Sequence, residues 1–520
     1  MYLLTSLPVI LVSALVLAVS SLLWKLWAYR RRFRGLPKPP HSFLFGHLLL
    51  FLRVSKRLPG NPPIAIVLSV IQSQYKLLDV YYIDLWPLVP EPFLVTGDLA
   101  TADRFLNDYT RHPAALNRSL QRLVGGARGL VSPDLSEWRG SRASIRKAFS
   151  VTNVQRFLPE MARYSMQLRT ALLHRGTTNR RFPMIEPIGK WAADLALRFL
   201  LGDDSAVQQG GWGAQANADV QALIAQVDDR VSWNPWTYRQ RDNTRRCCQD
   251  RVRGRIRTVL NDALQRERPA AYNKFVPLVD SLAAKYKEEY PGRTHWDVDT
   301  MAQHLDTVMT MFLAADVSSM YVFCHIAQDP AVAVELRKEH SSVFPGDAYA
   351  TQEEIRQHPG KIRALPYTMA VIKESMRLRP PGLSPTTAPK GHMLSYGGME
   401  HSLAGKILLT NIFRLHSNST YASSPFTFDP SRWLPNPSAE LANAWRPFQR
   451  GQHSCMGENM IIPGLVTALL LTVRDIDVAL AYDNDDVDLS PELGGVAYMD
   501  GSFAAKPAKG LPVTVKELTH

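Results

Sequence analysis

The sequence predicts a mainly α-helical chain with small β-sheets, preceded by a single N-terminal transmembrane helix. Three observations predict it. Residues 3–23, LLTSLPVILVSALVLAVSSLL, carry no charge and are long enough to cross a bilayer as a helix. Residues 301–328 are nearly unbroken apolar sequence and read as a long buried helix stopped by Asp329-Pro330. Strand-like runs are short and few, around 407–412 and 513–515.

Taken in order, residues 1–29 form the anchor. Trp24, Trp27 and Tyr29 follow the apolar run as interfacial aromatics, and Arg30-Arg31-Arg32 close it. A cleavable signal carries its positive charges before the apolar run; here they come after, which reads as a retained anchor. The positive-inside rule leaves the short N-terminus lumenal and the rest cytoplasmic. Residues 30–40 form a basic, Pro-rich hinge, in which Leu36-Pro37-Lys38-Pro39-Pro40 stiffens the chain and fixes how the body, residues 41–520, sits against the membrane. Within the body, 202–236 is rich in Gly, Gln, Asp and Trp and reads as a long loop, a candidate lid. A second helix covers 366–379 and ends at Pro380-Pro381. No internal repeat is visible.

The chain has 520 residues, ample for a deep core and a buried cofactor. Its net charge of +13 is partly local, in Lys25, Arg30, Arg31, Arg32 and Arg34, and in a run that includes Arg245, Arg246, Arg251, Arg253 and Arg255. No zinc-finger spacing, aromatic RNA-binding signature or heptad accompanies these charges, so a solvated helix face is preferred to nucleic-acid binding. A basic surface also suits an acidic protein or anionic lipid. Of the four cysteines, Cys247 and Cys248 are adjacent and poor partners for each other, which does not suggest a disulfide scaffold. Asn117-Arg118-Ser119 and Asn418-Ser419-Thr420 match the glycosylation pattern, and a cytoplasmic body leaves both unmodified.

The most informative residue is Cys455, in Phe448-Gln449-Arg450-Gly451-Gln452-His453-Ser454-Cys455-Met456-Gly457, just before a long apolar stretch. A cysteine flanked by turn formers at a helix start is placed to present a thiolate, favoured by backbone N–H groups and the helix dipole. Such a thiolate can serve as axial ligand to haem iron and favour O–O cleavage. A buried structural cysteine meets the same description, so other constellations must decide. Glu374-Ser375-Met376-Arg377 puts a carboxylate and a guanidinium on one helix face, a spacing that countless surface helices share. Downstream lies Phe428-Asp429-Pro430-Ser431-Arg432-Trp433. A buried Glu374 between Arg377 and Arg432 makes a charge-assisted network that locks the chain before the cysteine loop. Trp138 and Arg142 sit one helical turn apart and can hold a cofactor carboxylate, unless their helix is merely amphipathic. In Ala314-Ala315-Asp316-Val317-Ser318-Ser319, small residues precede a hydroxyl pair able to relay protons or, instead, to bond back to the preceding turn.

In this order and spacing, the pieces resemble the cytochromes P-450, the haem-thiolate monooxygenases, from about Leu36 to the C-terminus. The family's cysteine loop, Phe-x-x-Gly-x-Arg-x-Cys-x-Gly, is met by Phe448, Gly451, Cys455 and Gly457; its Glu-x-x-Arg by Glu374 and Arg377; its Pro-x-Arg by Pro430 and Arg432; its Trp-x-x-x-Arg by Trp138 and Arg142. Two positions depart. His453 stands where the family has an Arg that pairs with a haem propionate, which shifts haem retention toward Arg142. Val317 and Ser318 stand where it has an acid and a Thr, with Asp316 one position early, about 100° around the helix. This implies slower turnover, more uncoupling or an unusual reaction.

The resemblance implies a P-450 fold holding haem b. Cys455 is the implied iron ligand, with Trp138, Arg142, Phe448, Gly451, His453 and Gly457 at the cofactor. Ser318 with Asp316 is implied in proton delivery, and Glu374, Arg377 and Arg432 in structure. The anchor and hinge look like membrane-bound eukaryotic members, here of the endoplasmic reticulum. The tail, Val473-Arg474-Asp475-Ile476-Asp477 and Lys506-Pro507-Ala508-Lys509-Gly510-Leu511-Pro512, looks like fungal members that decorate secondary metabolites. The implied function is monooxygenation of a lipophilic small molecule, contacted by the loop before Trp138, by 202–236 and by the segment after Pro381. No Gly-rich dinucleotide fingerprint follows a strand, so electrons come from NADPH through a separate flavoprotein reductase. Two other readings stay open: a haem-thiolate isomerase or dehydratase, and a catalytically dead haem-binding membrane scaffold.

Overall fold

The computed structural model of the chain describes residues 2–109, 111–124, 130, 132, 134–178, 180–228, 235–266, 274–291, 297–313, 316–380, 383–501 and 505–518. Helices dominate. The N-terminal third holds α1 (Tyr2–Arg31), α2 (Leu48–Arg57), α3 (Ile64–Gln74), β1 (Val80–Ile83), β2 (Phe93–Thr96), α4 (Leu99–Asn107), α5 (Ala114–Val124), α6 (Leu135–Arg146) and α7 (Val151–Gly176). The middle holds β3 (Phe182–Pro183), α8 (Ile185–Leu201), α9 (Trp212–Asp228), α10 (Pro235–Gln265), α11 (Leu278–Glu289), α12 (Val298–Leu313), α13 (Asp316–Gln328), α14 (Pro330–Val343), α15 (Ala348–Gln357) and α16 (Pro366–Leu378). Then come β4 (Ser384–Thr386), β5 (Met393–Tyr396), β6 (Met399–Ser402), β7 (Ile407–Thr410), α17 (Ile412–His416), α18 (Ala439–Ala444), α19 (Glu458–Thr472), β8 (Ile476–Leu480), β9 (Met499–Asp500), β10 (Lys506–Pro507) and β11 (Pro512–Glu517).

The sheets are small. One runs β1-β2-β7-β4, with β2 and β7 parallel and Val95 opposite Leu409; another runs β3-β11-β8. The largest core is helical: α7 packs on α8 and α19, and Phe157, Leu168, Leu197, Phe199 and Leu469 are fully buried there. Local chemistry sets the ends of the helices. The Asp134 carboxylate accepts from the amides of Ser136 and Glu137 and starts α6. Pro330 and Pro366 occupy first-turn positions of α14 and α16, where their missing N–H costs nothing.

The structure differs from the sequence expectation over residues 202–236. Residues 202–236 are not one loop. The Asp194 carboxylate accepts from Ser205 Oγ at 2.7 Å and from the amides of Val207 at 2.7 Å and Gln208 at 3.0 Å, folding a tight turn. From Trp212 to Asp228 the chain is helical, because the Ala-, Gln- and Leu-rich run after Gly213 has high helix propensity. In the apolar stretch 301–328 the described residues are helical on both sides of Ala314 and Ala315, which lie outside the described residues.

The N-terminal helix runs past residue 29, to Arg31. Its last turn is bonded into the body: Arg30 pairs with the fully buried Asp84 carboxylate and donates to the carbonyls of Phe43 and Leu44, at 3.1 Å each. His41 Nε2 lies 3.0 Å from the same carboxylate. Phe33 is buried against Tyr82, and the Tyr82 amide donates to the Pro37 carbonyl at 2.8 Å. The basic, Pro-rich segment is therefore fastened through Arg30, Phe33 and Pro37 to Tyr82 of β1 and to Asp84 just beyond it. Asp84→Ala leaves a buried guanidinium without its counter-charge, a loss of about 3–5 kcal/mol. Tryptic cleavage of the detergent-solubilised protein between Arg31 and Lys38 should accelerate, while the helical circular-dichroism signal of the body persists.

Candidate functional site

Between α18 and α19 the chain makes a loop held from within and from without. The Cys455 amide donates to the Phe448 carbonyl at 2.7 Å, and the Ser454 amide to the Gly451 carbonyl at 3.2 Å. Gly451 has φ +73°, and a Cβ there would overlap the carbonyl oxygen of Leu106 in α4. Only glycine lets the loop lie this close to its neighbour. Phe448 is buried beside Trp445, with ring centroids 6.1 Å apart.

The sulfur is set between opposed influences. Cys455 retains exposed surface, yet the protein around it desolvates the thiol and pushes its pKa up. Hydrogen bonds from the backbone N–H groups of Gly457 and Glu458, and the Arg142 guanidinium, pull it down. The Glu458 carboxylate adds to the upward push, so the free thiol is favoured overall, while the two amides and Arg142 supply the donors and the cation that a metal-bound thiolate would use.

Arg142 Nη2 donates to the carbonyl of Ser454 and, at 3.3 Å, to its hydroxyl. The guanidinium carbon of Arg142 lies 5.6 Å from the Trp138 ring centroid. His453 packs at 4.4 Å from Trp138 and at 4.1 Å from His112. His112, half-buried and with its pKa lowered by desolvation, donates from Nδ1 to the Pro385 carbonyl at 3.2 Å. Trp138, Arg142 and His453 therefore meet on one side of the cysteine loop. His112 joins them without any local sequence signal, since its partners lie far along the chain.

Below the loop sits the carboxylate network. Glu374 is fully buried. Arg377 donates to both its oxygens at 2.8 Å, Arg432 Nε at 3.2 Å, Trp433 Nε1 at 3.0 Å and the Asp429 amide at 3.1 Å. Arg377 also donates to the carbonyls of His416, Pro425 and Thr427 at 3.1, 2.6 and 3.3 Å. Trp433 is a member that the sequence reading passed over, although it directly follows Arg432. Behind the network, His325 Nδ1 lies 2.9 Å from Ser375 Oγ and its ring stacks on Phe428 at 4.7 Å.

The side chains of Asp316, Val317 and Ser318 lie outside the described residues, although α13 starts at Asp316. So do residues 125–129, before Trp138, and 381–382, two of the expected substrate-contact stretches.

A family model described as Cytochrome P450 matches residues 66–499. The chain belongs to the cytochrome P450 family. Its relatives include the cytochrome P450 monooxygenase polC of Polytolypa hystricis, 25% identical over 91% of this chain and 87% of polC. The monooxygenase ptmJ of Penicillium ochrochloron is 25% identical over 94% of this chain and 93% of its own length. PC-20 of Penicillium crustosum is 24% identical over 94% and 92%. This cytochrome P450 is an oxygen-incorporating oxidoreductase whose cofactor is haem iron with a cysteine thiolate ligand. The donor set of the site fits that cofactor: one sulfur ringed by N–H groups, with an indole, a guanidinium and imidazoles beside it for the carboxylates of the macrocycle.

Two outcomes follow. Gly451→Ala forces a side chain into a left-handed backbone position and against Leu106, costing more than ~1 kcal/mol; haem-to-protein absorbance of the purified variant should fall below that of the native protein. Burial holds His325 and His416 near a pKa of about 3, against 6.5 for a free imidazole. The unfolded chain takes up protons below pH 6.5 and the folded one does not, so stability is complete above that pH and lost toward pH 3. The denaturation midpoint should drop between pH 7 and 5, with roughly 2 kcal/mol lost per histidine.

Proposed function

We propose that this cytochrome P450 oxidises a lipophilic small molecule of secondary metabolism, using O2 and electrons from NADPH delivered by a separate flavoprotein reductase. The observation that carries the reading is the Cys455 sulfur, met by the amides of Gly457 and Glu458 and by Arg142 in a loop that Gly451 seats on α4. When bound there, haem supplies the oxygen chemistry. Cys455 ligates its iron through sulfur. Trp138, Arg142 and His453 hold its carboxylates, and Phe448, Gly451 and Gly457 shape the loop. Glu374, Arg377 and Arg432 keep that loop's approach rigid. Ser318, with Asp316, moves the proton.

Two surfaces support the partners. Arg139, Arg146 and Lys147 are exposed on or just after α6, the helix that touches the cysteine loop, and suit an acidic reductase. Helix α1 holds 21 residues, Leu11–Arg31, long and apolar enough to cross a membrane. Beside its fastened end, Phe43, Leu44, Phe45, Leu49 and Leu52 stay exposed, with Arg53, Lys56 and Arg57 on the same short segment. Their placement supports a body resting on a membrane surface, which we take to be the cytoplasmic face of the endoplasmic reticulum.

The test is the carbon monoxide difference spectrum of the reduced protein beside Cys455→Ala. The native protein should give a strongly red-shifted Soret band and the variant none. With a reductase present, oxygen and NADPH consumption should follow a lipophilic substrate. Turnover without NADPH would indicate an isomerase or dehydratase instead, and a missing red-shifted band in well-folded native protein would sink the Cys455 assignment.

A further inference from the structure

The buried carboxylate network and the cysteine loop belong to separate stretches of chain, and one side chain joins them. His416, the last residue of α17, is 2% exposed. Its Nε2 accepts from the Arg446 backbone amide at 2.8 Å. That nitrogen is therefore bare, so the ring proton sits on Nδ1. There it donates to the Arg377 carbonyl, 3.1 Å away. The His416 carbonyl in turn accepts from Arg377 Nη1 at 3.1 Å. Arg377 is thus tied to His416 twice, once through each backbone carbonyl.

Arg446 continues the line toward the sulfur. Its side chain is buried, donating to Asp103 Oδ1 of α4 at 2.7 Å and to the Asn443 carbonyl at 2.9 Å. Its own carbonyl accepts from the Gln449 amide at 3.0 Å, and Phe448, two residues on, accepts from the Cys455 amide at 2.7 Å. A path of six residues runs from Glu374 through Arg377, His416, Arg446 and Phe448 to Cys455.

We infer that His416 is a positioning residue that transmits the register of the Glu374 network to the cysteine loop and keeps the Cys455 thiolate on the iron. The inference rests on the assignment of Cys455 as the haem ligand. An imidazole suits the place because it donates at one ring position and accepts at another, across a gap between two backbone groups that cannot pair with each other directly. A phenyl ring fills the same space and makes neither bond. Asparagine reaches the Nδ1 position and keeps only the link to Arg377. Glutamine reaches the Nε2 position and keeps the link to Arg446, the one facing the loop.

The experiment uses the full-length haem-loaded protein in detergent, reduced and exposed to carbon monoxide, and follows conversion of the red-shifted Soret band to the shorter-wavelength band of a lost thiolate under mild warming. His416→Phe and His416→Asn should convert roughly tenfold faster than the native protein, the factor that one lost buried hydrogen bond supplies. His416→Gln should stay close to native. His340→Phe is the control. It removes a buried imidazole bonded to Thr368 Oγ1 at 2.9 Å, outside the path, and should lower stability with no faster conversion. Equal conversion in His416→Phe and His340→Phe overturns the inference, as does His416→Gln converting as fast as His416→Phe. A native protein without any red-shifted band removes the ligand assignment and the inference together, so the two failures are told apart.

Discussion

The carboxylate of Glu374 is the constraint on which the proximal half of the molecule depends. It is an ionised group with no access to water, and such a group is tolerated only when its lone pairs are met. Two guanidinia, an indole N–H and a backbone amide meet them here. The donors come from two stretches, Arg377 of the same helix and Asp429, Arg432 and Trp433 of one turn, so satisfying one charge fixes α16 against the 429–433 turn. Arg377 then spends its remaining donors on the carbonyls of residues 416, 425 and 427. That stretch has little regular structure, and its carbonyls have no sheet or long helix to pair with. One buried ion pair thus substitutes for secondary structure over a long irregular segment.

The sulfur shows a balance of a different kind. Desolvation and the Glu458 carboxylate favour the neutral thiol, while two amides and a guanidinium favour the anion. The amides are fixed dipoles of the backbone and need no reorganisation when the charge forms. They sit at the very start of α19, where Gly457 is the cap and Glu458 the first residue, so helix start and electronic environment are one property.

What could be read from the sequence, and what could not, divides along chain distance. Glu374 with Arg377, Trp138 with Arg142, and Phe448 to Gly457 are local spacings, legible because helix periodicity or a turn places them. The meeting of Arg432 with Glu374 spans 58 positions and was legible only through the ordered set of motifs. His112 and His416 gave no signal, because what makes them matter is a partner across the fold. The 202–236 stretch misled because its glycines and its helix-forming run were averaged together; Asp194, outside the window, decides where the turn ends. The persistence of α1 to Arg31 was hidden for the same reason, since Asp84 lies more than fifty positions away.

The bond between Arg30 and Asp84 has a mechanical corollary. A transmembrane helix tilts to match its apolar length to the local hydrocarbon thickness. A body hung on a slack tether would not register that tilt. Here the final helical turn is part of the body, so the slope of the helix and the attitude of the body are a single variable. Where α1 spans a bilayer, lipid thickness sets the angle at which the body meets the headgroups, and a change of membrane composition alone re-orients the whole body.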